Sequence, residues 1–225
     1  MRSRSRGHVA RLLPVGVRPP HYTSRVKNRV VVFLDWQNVY KGARESFHGM
    51  NDPSTDGQID PVRLGRRIAQ LVPDGSLQQV RVYRGLPSST KDPKGYGAAR
   101  RQTSAWMKAD PNHVYVCLHP LQYLDGMAPR EKGVDVQLAI DFVTLGVANK
   151  FDVGVLFSTD TDLRPALDAV FELNGKNQPW PRVAGWRGPN HRPRRIGASG
   201  KREVPCVWLD QVSYLAVRDT TRYAT

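Results

Sequence analysis

The feature that most limits the fold is the run Arg29 to Leu34, RVVVFL, which stops at Asp35. Three valines, a phenylalanine and a leucine with no polar alternation suit a strand buried on both faces, the environment of an interior strand in a parallel sheet. Similar runs recur at Gln79 to Leu86, His113 to Leu118 and Asp152 to Phe157. Between them lie stretches with helical spacing. Pro61 to Leu71 carries Val62, Leu64, Ile68 and Leu71 at a roughly helical spacing, Ala98 to Lys108 reads as a helix, and Val134 to Val147 is apolar nearly all round. A further helix is expected from Asp162 to about Leu173, and two short strands, Arg182 to Trp186 and Cys206 to Leu209, follow. Asn51 to Gly57 and Pro87 to Gly97 are turn-rich loops. Strands alternating with helices predict right-handed crossovers and an α/β fold, a three-layer α/β/α sandwich around a mainly parallel sheet.

The 225 residues are enough for one sizeable core of this kind and too few for two. Their net charge of +14 is concentrated in two places. Residues 1 to 29 carry eight Arg or Lys and no acid, and residues 182 to 202 carry seven, again with no acid; the remaining 19 cations face 20 acids. The expected organisation is therefore a basic extension over 1–28 and a domain over 29–225 with a basic insertion at about 182–202. Unopposed arginines among Gly, Pro and His suit a phosphate backbone, because neutralised phosphates release condensed counterions. The bland reading is a solvated basic tail.

No stretch approaches the roughly 20 apolar residues of a membrane span, and Leu12 to Val17 is too short and Pro-broken for a secretory signal. The acid-free start also echoes an organelle transit peptide. Two cysteines, Cys117 and Cys206, both in apolar runs, support neither a disulfide framework nor a Cys-based zinc site. A reducing cytoplasm is the compartment expected.

In open parallel sheets the functional crevice lies at the carboxyl ends of the strands. Asp35 and the pair Asp160/Asp162 directly follow the two most apolar strand runs, and Asp135 opens the apolar helix at 134–147. Each alone has a structural explanation as a helix cap, a first-turn acid or a strand end. Together on one edge, four carboxylates repel unless a hard cation joins them, which points to Mg²⁺ or Mn²⁺ and to metal-assisted phosphodiester hydrolysis. Other chemistries fit less well. A dehalogenase-type phosphatase needs an Asp where Gln37 stands, and neither G-x-G-x-x-G after a strand nor a P-loop occurs. The six histidines form no catalytic pattern.

Three motifs, Phe33-Leu-Asp35-Trp-Gln-Asn38, Glu131-Lys132-Gly-Val-Asp135 through Asp141, and Ser158-Thr-Asp160-Thr-Asp162-Leu, together with Trp208-Leu-Asp210, resemble the NYN domains, a branch of the PIN-like nuclease superfamily, over about residues 29 to 220. The resemblance implies a PIN-like Rossmannoid fold and a metal-dependent (endo)ribonuclease. It implies Asp35, Asp135, Asp160 and Asp162 as metal ligands, Asn38 as an orienting group, and Asp141 and Ser158 as supporting groups. Thr159 and Leu163 depart from the family's Gly and Phe; a Thr there makes the turn before Asp160 less permissive, since Gly tolerates positive φ. Lys132, Arg187, Arg192, Arg194 and Arg195 are the expected phosphate contacts, and Trp186, followed by Arg187, is a candidate for stacking on a base. RNA is the expected partner, single-stranded or structured, and a homodimer is compatible with the sequence. The competing expectation is an RNA-binding or regulatory module of the same fold with little or no turnover.

Overall fold

The computed structural model describes residues 27–49, 51–53, 55–173, 179–200 and 203–223. Most of the basic extension, residues 1–26, lies outside them.

Six strands, β1 (Asn28–Asp35), β2 (Gly75–Leu86), β3 (Val114–Pro120), β4 (Val153–Phe157), β5 (Trp180–Trp186) and β6 (Cys206–Leu209), form one sheet in the order β3-β2-β1-β4-β5-β6. Every neighbouring pair is parallel. The helices are α1 (Trp36–Phe47), α2 (Pro61–Leu71), α3 (Pro93–Ala109), α4 (Val134–Val147), α5 (Arg164–Glu172) and α6 (Gln211–Val217). β1 is interior and buried on both faces, as its sequence demands. Val30, Val32 and Leu34 pack with residues of α1, α2, α3 and α6, whereas Val31 and Phe33 pack with α4 and α5. The result is the expected α/β/α sandwich, with the direction of the crossovers reversing between β1 and β4.

The first crossover differs from expectation. It contains α1 as well as α2, and α1 starts directly at the end of β1. Its buried face is Trp36, Val39, Ala43 and Ser46, a helical spacing written largely in small or polar side chains, so the apolar signal is faint. Gly42 lets this helix lie against the sheet, since a Cβ there would sit 3.0 Å from Trp186 Cδ1. α3 also begins earlier than its apolar pattern suggests. Asp92 caps Gly95 N at 2.8 Å and Pro93 occupies the first turn, a start signal inside what reads as a loop. Trp186 is corrected from base-stacking candidate to core residue. It is buried, donates from Nε1 to Val39 O at 2.9 Å, and packs against Phe47, Phe157 and Tyr214.

On the α4 side an aromatic cluster of Phe33, Phe142 and Phe151 surrounds β4. A Cβ at Gly154 would lie 2.6 Å from Phe151 Cε2 and 2.9 Å from Phe142 Cε2. Gly154→Ala is therefore expected to cost about 1–3 kcal/mol through overpacking, read as a lower urea midpoint at unchanged slope; an unaltered midpoint would contradict this packing.

Candidate functional site

Asp35 stands at the carboxyl end of β1 and also caps α1, accepting from Asn38 N at 3.3 Å. In strand parity it follows Val31 and Phe33, so it faces the layer that contains α4. It is 1% exposed. Burial pushes its carboxyl up from the ordinary range, while the Ser158 hydroxyl and the Asn38 backbone N–H pull it down and the charge of Glu131 adds to the rise.

Three groups tie this carboxylate to the end of β4. Ser158 Oγ donates to Asp35 Oδ2 at 2.7 Å and accepts from Asp160 N at 3.0 Å. The Asn38 side-chain amide donates to Asp35 Oδ2, and its Oδ1 accepts from Thr159 Oγ1 at 2.6 Å. Thr159 is thus part of the site rather than a defect in it. Among the described residues the non-glycine positive-φ positions are Asp74 and Asn149, so the turn before Asp160 makes no demand for Gly. Asp160 in turn caps a 3₁₀ turn at Thr161–Leu163 by accepting from Asp162 N at 2.9 Å, leaving Asp162 exposed.

Asp135 enters from the opposite layer, in the first turn of α4, where the helix dipole favours an anion. Gly133, at φ 81°, is the N-cap of that helix, a left-handed conformation that Gly adopts without steric cost. Lys132 beside it is exposed. Burial first, then the charges of Asp35, Asp160 and Asp162, push the Asp135 carboxyl up to about 6. The three neighbours that raise it are the other members of the expected set, so all four share one field. Hard carboxylate oxygens in mutual repulsion are the donor chemistry that Mg²⁺ or Mn²⁺ suits.

The site has members that sequence reasoning passed over. Glu131 accepts from Gly85 N at 2.7 Å; burial and then the charge of Asp135 raise its carboxyl, while Arg84 and Lys41 lower it. Its position within the Glu131-Lys132-Gly133 turn is visible in the sequence, but its reach to the end of β2 is not. Asp141 is placed elsewhere. It accepts from Arg81 Nη2 and Tyr83 OH at 2.7 Å and from Gln137 at 2.8 Å, fastening α4 to β2.

The basic segment starts inside β5 at Arg182, and its part beyond that strand borders the site unevenly. A cavity of about 250 Å³ is lined by Asn38 and Thr159 on one side and by Lys41, His191, Arg192 and Arg194 on another. Arg194 pairs with Glu45 at 2.7 Å. Arg195 donates to Val204 O at 2.6 Å, and Arg187 lies over the Trp208 ring at 5.0 Å, so these two also hold the segment itself. Both cysteines are free.

A second polar cluster sits at the far end of α1. His48, Asp52 and Asp56 hold ligand atoms within 4.8 Å of one another, which among the described residues the four aspartates do not do as any group of three. At 1.5 Å per residue, α1 and its two caps separate His48 from Asp35 by about 20 Å. The two clusters are distinct.

The raised Asp135 carboxyl has a stability consequence. A carboxyl that holds its proton more tightly folded than unfolded makes stability fall as pH rises, here from about pH 4 to about pH 6. In EDTA the melting temperature should decline over that window, and Asp135→Asn should flatten the decline. A parallel decline in the variant would show that the field at Asp135 is wrong.

The family model for the NYN domain matches residues 29–177, a span that includes Asp35, Asp135, Asp160 and Asp162 and ends before β5. No curated protein matches the chain. Among solved structures, a protein of unknown function from Vibrio parahaemolyticus is similar at 20% identity and a TM-score of 0.45, covering 70% of this chain and 81% of that one.

Proposed function

We propose, from the premise that this chain belongs to the NYN domain family, that its nuclease-type fold is a working metal-dependent ribonuclease that hydrolyses RNA phosphodiester bonds at the carboxyl edge of the sheet. The convergence of Asp35, Asp135, Asp160 and Asp162 from three separate elements carries this reading. Asp35, Asp135 and Asp160 would hold Mg²⁺ or Mn²⁺, with Asp162 for a second ion or for orienting the attacking water. A bound ion there supplies a water of lowered pKa and stabilises charge on phosphorus. Ser158 and Asn38 keep the Asp35 oxygens aimed, and Ser158 also fixes the backbone that carries Asp160. Lys41, Lys132, Arg192 and Arg194 would hold backbone phosphates on either side of the cut. The domain would run from residue 29 to the end of the chain, with 182–202 as a basic insertion. No helix among the described residues is long and apolar enough to cross a membrane.

The open spacing of the four carboxylates favours a second reading, an RNA-binding module of the same fold with little turnover. Labelled single-stranded RNA incubated with Mn²⁺, Mg²⁺ or EDTA separates the two. Under the ribonuclease reading cleavage needs the metal, Ser158→Ala slows it by about 10- to 100-fold as loss of a group supporting a ligand does, and Asp160→Asn slows it further still. RNA binding with the same metal-independent background in all three proteins would leave the binding module.

The two roles of the insertion separate in salt titrations. Arg192→Ala combined with Arg194→Ala should flatten the plot of log affinity against log salt by about 1.4, two single-strand phosphates' worth. Arg195→Ala should instead lower the melting temperature and leave the slope alone, since its bond is to Val204 O. An unchanged slope in the double variant would remove the groove from the RNA path.

A further inference from the structure

α1 divides the carboxyl edge in two. The basic groove lies along Asn38, Lys41 and Glu45, and on the helix's other flank a cavity of about 310 Å³ is lined by Trp36, Tyr40, Gln58, Arg84, Gln102 and Glu131, among others. Apart from the charge that Glu131 lends to Asp35, the hydrolytic reading gives this second cavity no role, and its chemistry differs from that of the groove.

At its base is Arg84, a half-buried guanidinium whose Nε is sealed from solvent and unpaired. Burial lowers it to about 10, which leaves it charged at neutral pH. Among the described residues it donates one hydrogen bond, from Nη1 to Gln102 Oε1 at 2.7 Å. Gln102 is itself held by Gln58 at 2.7 Å. Nη2 has no such bond and, unlike Nε, is not sealed from solvent. Across from it Glu131 spends Oε1 on Gly85 N, at 2.7 Å, and keeps Oε2 without a hydrogen bond among the described residues. Gly85 makes this approach possible, because a Cβ there would stand 2.9 Å from Glu131 Oε1. The Trp36 and Trp106 rings lie 5.9 and 5.7 Å from the guanidinium carbon, and Tyr40 supplies a further aromatic edge.

A free cationic donor beside a free anionic acceptor, set among aromatic rings, is neutral overall and poorly suited to a phosphate, which Glu131 would repel. It suits a planar heterocycle with an acceptor next to donors. Guanine presents O6 beside N1–H and N2–H, so that an arginine can donate to O6 while one carboxylate accepts from both nitrogens; adenine, cytosine and uracil do not offer that order. Unpaired RNA bases are read in this way, by their edges and by stacking.

We propose that the cavity formed by Arg84, Glu131, Gln58 and Trp36 is a guanine-binding pocket that receives an unpaired base of the RNA strand next to the scissile phosphate. This deepens the ribonuclease reading and rests on it for the strand's path, but the pocket's affinity for the base does not depend on hydrolysis. Arg84 and Glu131 set which base enters, and the basic groove on the opposite flank of α1 holds the backbone whatever the sequence.

The test uses the full chain in EDTA and the four nucleoside 5′-monophosphates with ribose 5-phosphate as the base-free control, followed by shifts of the tryptophan indole N–H resonances. GMP should bind about tenfold more tightly than AMP, CMP or UMP, the worth of one well-made charged hydrogen bond. Glu131→Gln, which keeps the shape of the side chain, should remove that preference, and so should Arg84→Lys if its melting curve shows it folded. Arg192→Ala with Arg194→Ala should leave the preference in place. Equal binding of all four nucleotides and of ribose 5-phosphate, or no binding by any, overturns the pocket. Cleavage sites mapped with Mn²⁺ on a mixed-sequence RNA separate this failure from that of the hydrolytic reading. Metal-dependent cuts with no guanine at a fixed offset sink the pocket alone, whereas GMP preference without any cleavage sinks the ribonuclease and leaves the pocket standing.

Discussion

A carboxylate sealed at the end of the central strand is the constraint on which the rest of the site depends. Asp35 cannot be left unpaired there, since a buried charge without partners costs far more than the fold's margin of stability. The chain meets that need with side chains drawn from two elements, Asn38 from the first turn of α1 and Ser158 from the end of β4. Each partner is already committed elsewhere, Asn38 to Thr159 and Ser158 to the backbone of Asp160. The buried charge therefore fixes where α1 begins, how the turn after β4 runs and where Asp160 points. The same seam is the place where the crossovers change direction, the natural crevice of an open parallel sheet.

This coupling also explains why structural and chemical roles coincide. Asp35 and Asp160 are helix caps, as isolated aspartates after strands commonly are, and Asp135 sits where a helix dipole favours an acid. Capping is what gives Asp35 and Asp160 a fixed direction. What capping does not account for is their shared neighbourhood, where burial first and then the charges of Asp35, Asp160 and Asp162 raise Asp135.

Much of this was legible in the chain itself. The valine runs of β1 and β4 announce interior parallel strands, and the aspartates that follow them announce the edge where chemistry belongs. α1 was not legible, because its inward face is finished with Ala43 and Ser46 around Gly42, and those residues carry no apolar rhythm. Trp186 misled for the opposite reason, since an aromatic beside Arg187 looks like a nucleic-acid contact until the packing of α1 encloses it. Thr159 reads as a lost glycine in sequence and is a hydrogen-bonding partner of Asn38 in space. Glu131 and Arg84, 47 positions apart, come within reach of each other's charge only because the turn that leads into α4 lies against the end of β2. Contacts of that kind depend on topology, which periodicity along the chain does not encode.

Of the fold's two polar clusters, the four aspartates are the proposed cation site. Anomalous diffraction from crystals soaked in Mn²⁺ tests it directly. The peak should lie among Asp35, Asp135, Asp160 and Asp162 and should vanish in Asp35→Asn crystals. A peak confined to His48, Asp52 and Asp56, or none at the carboxyl edge at saturating Mn²⁺, would contradict it.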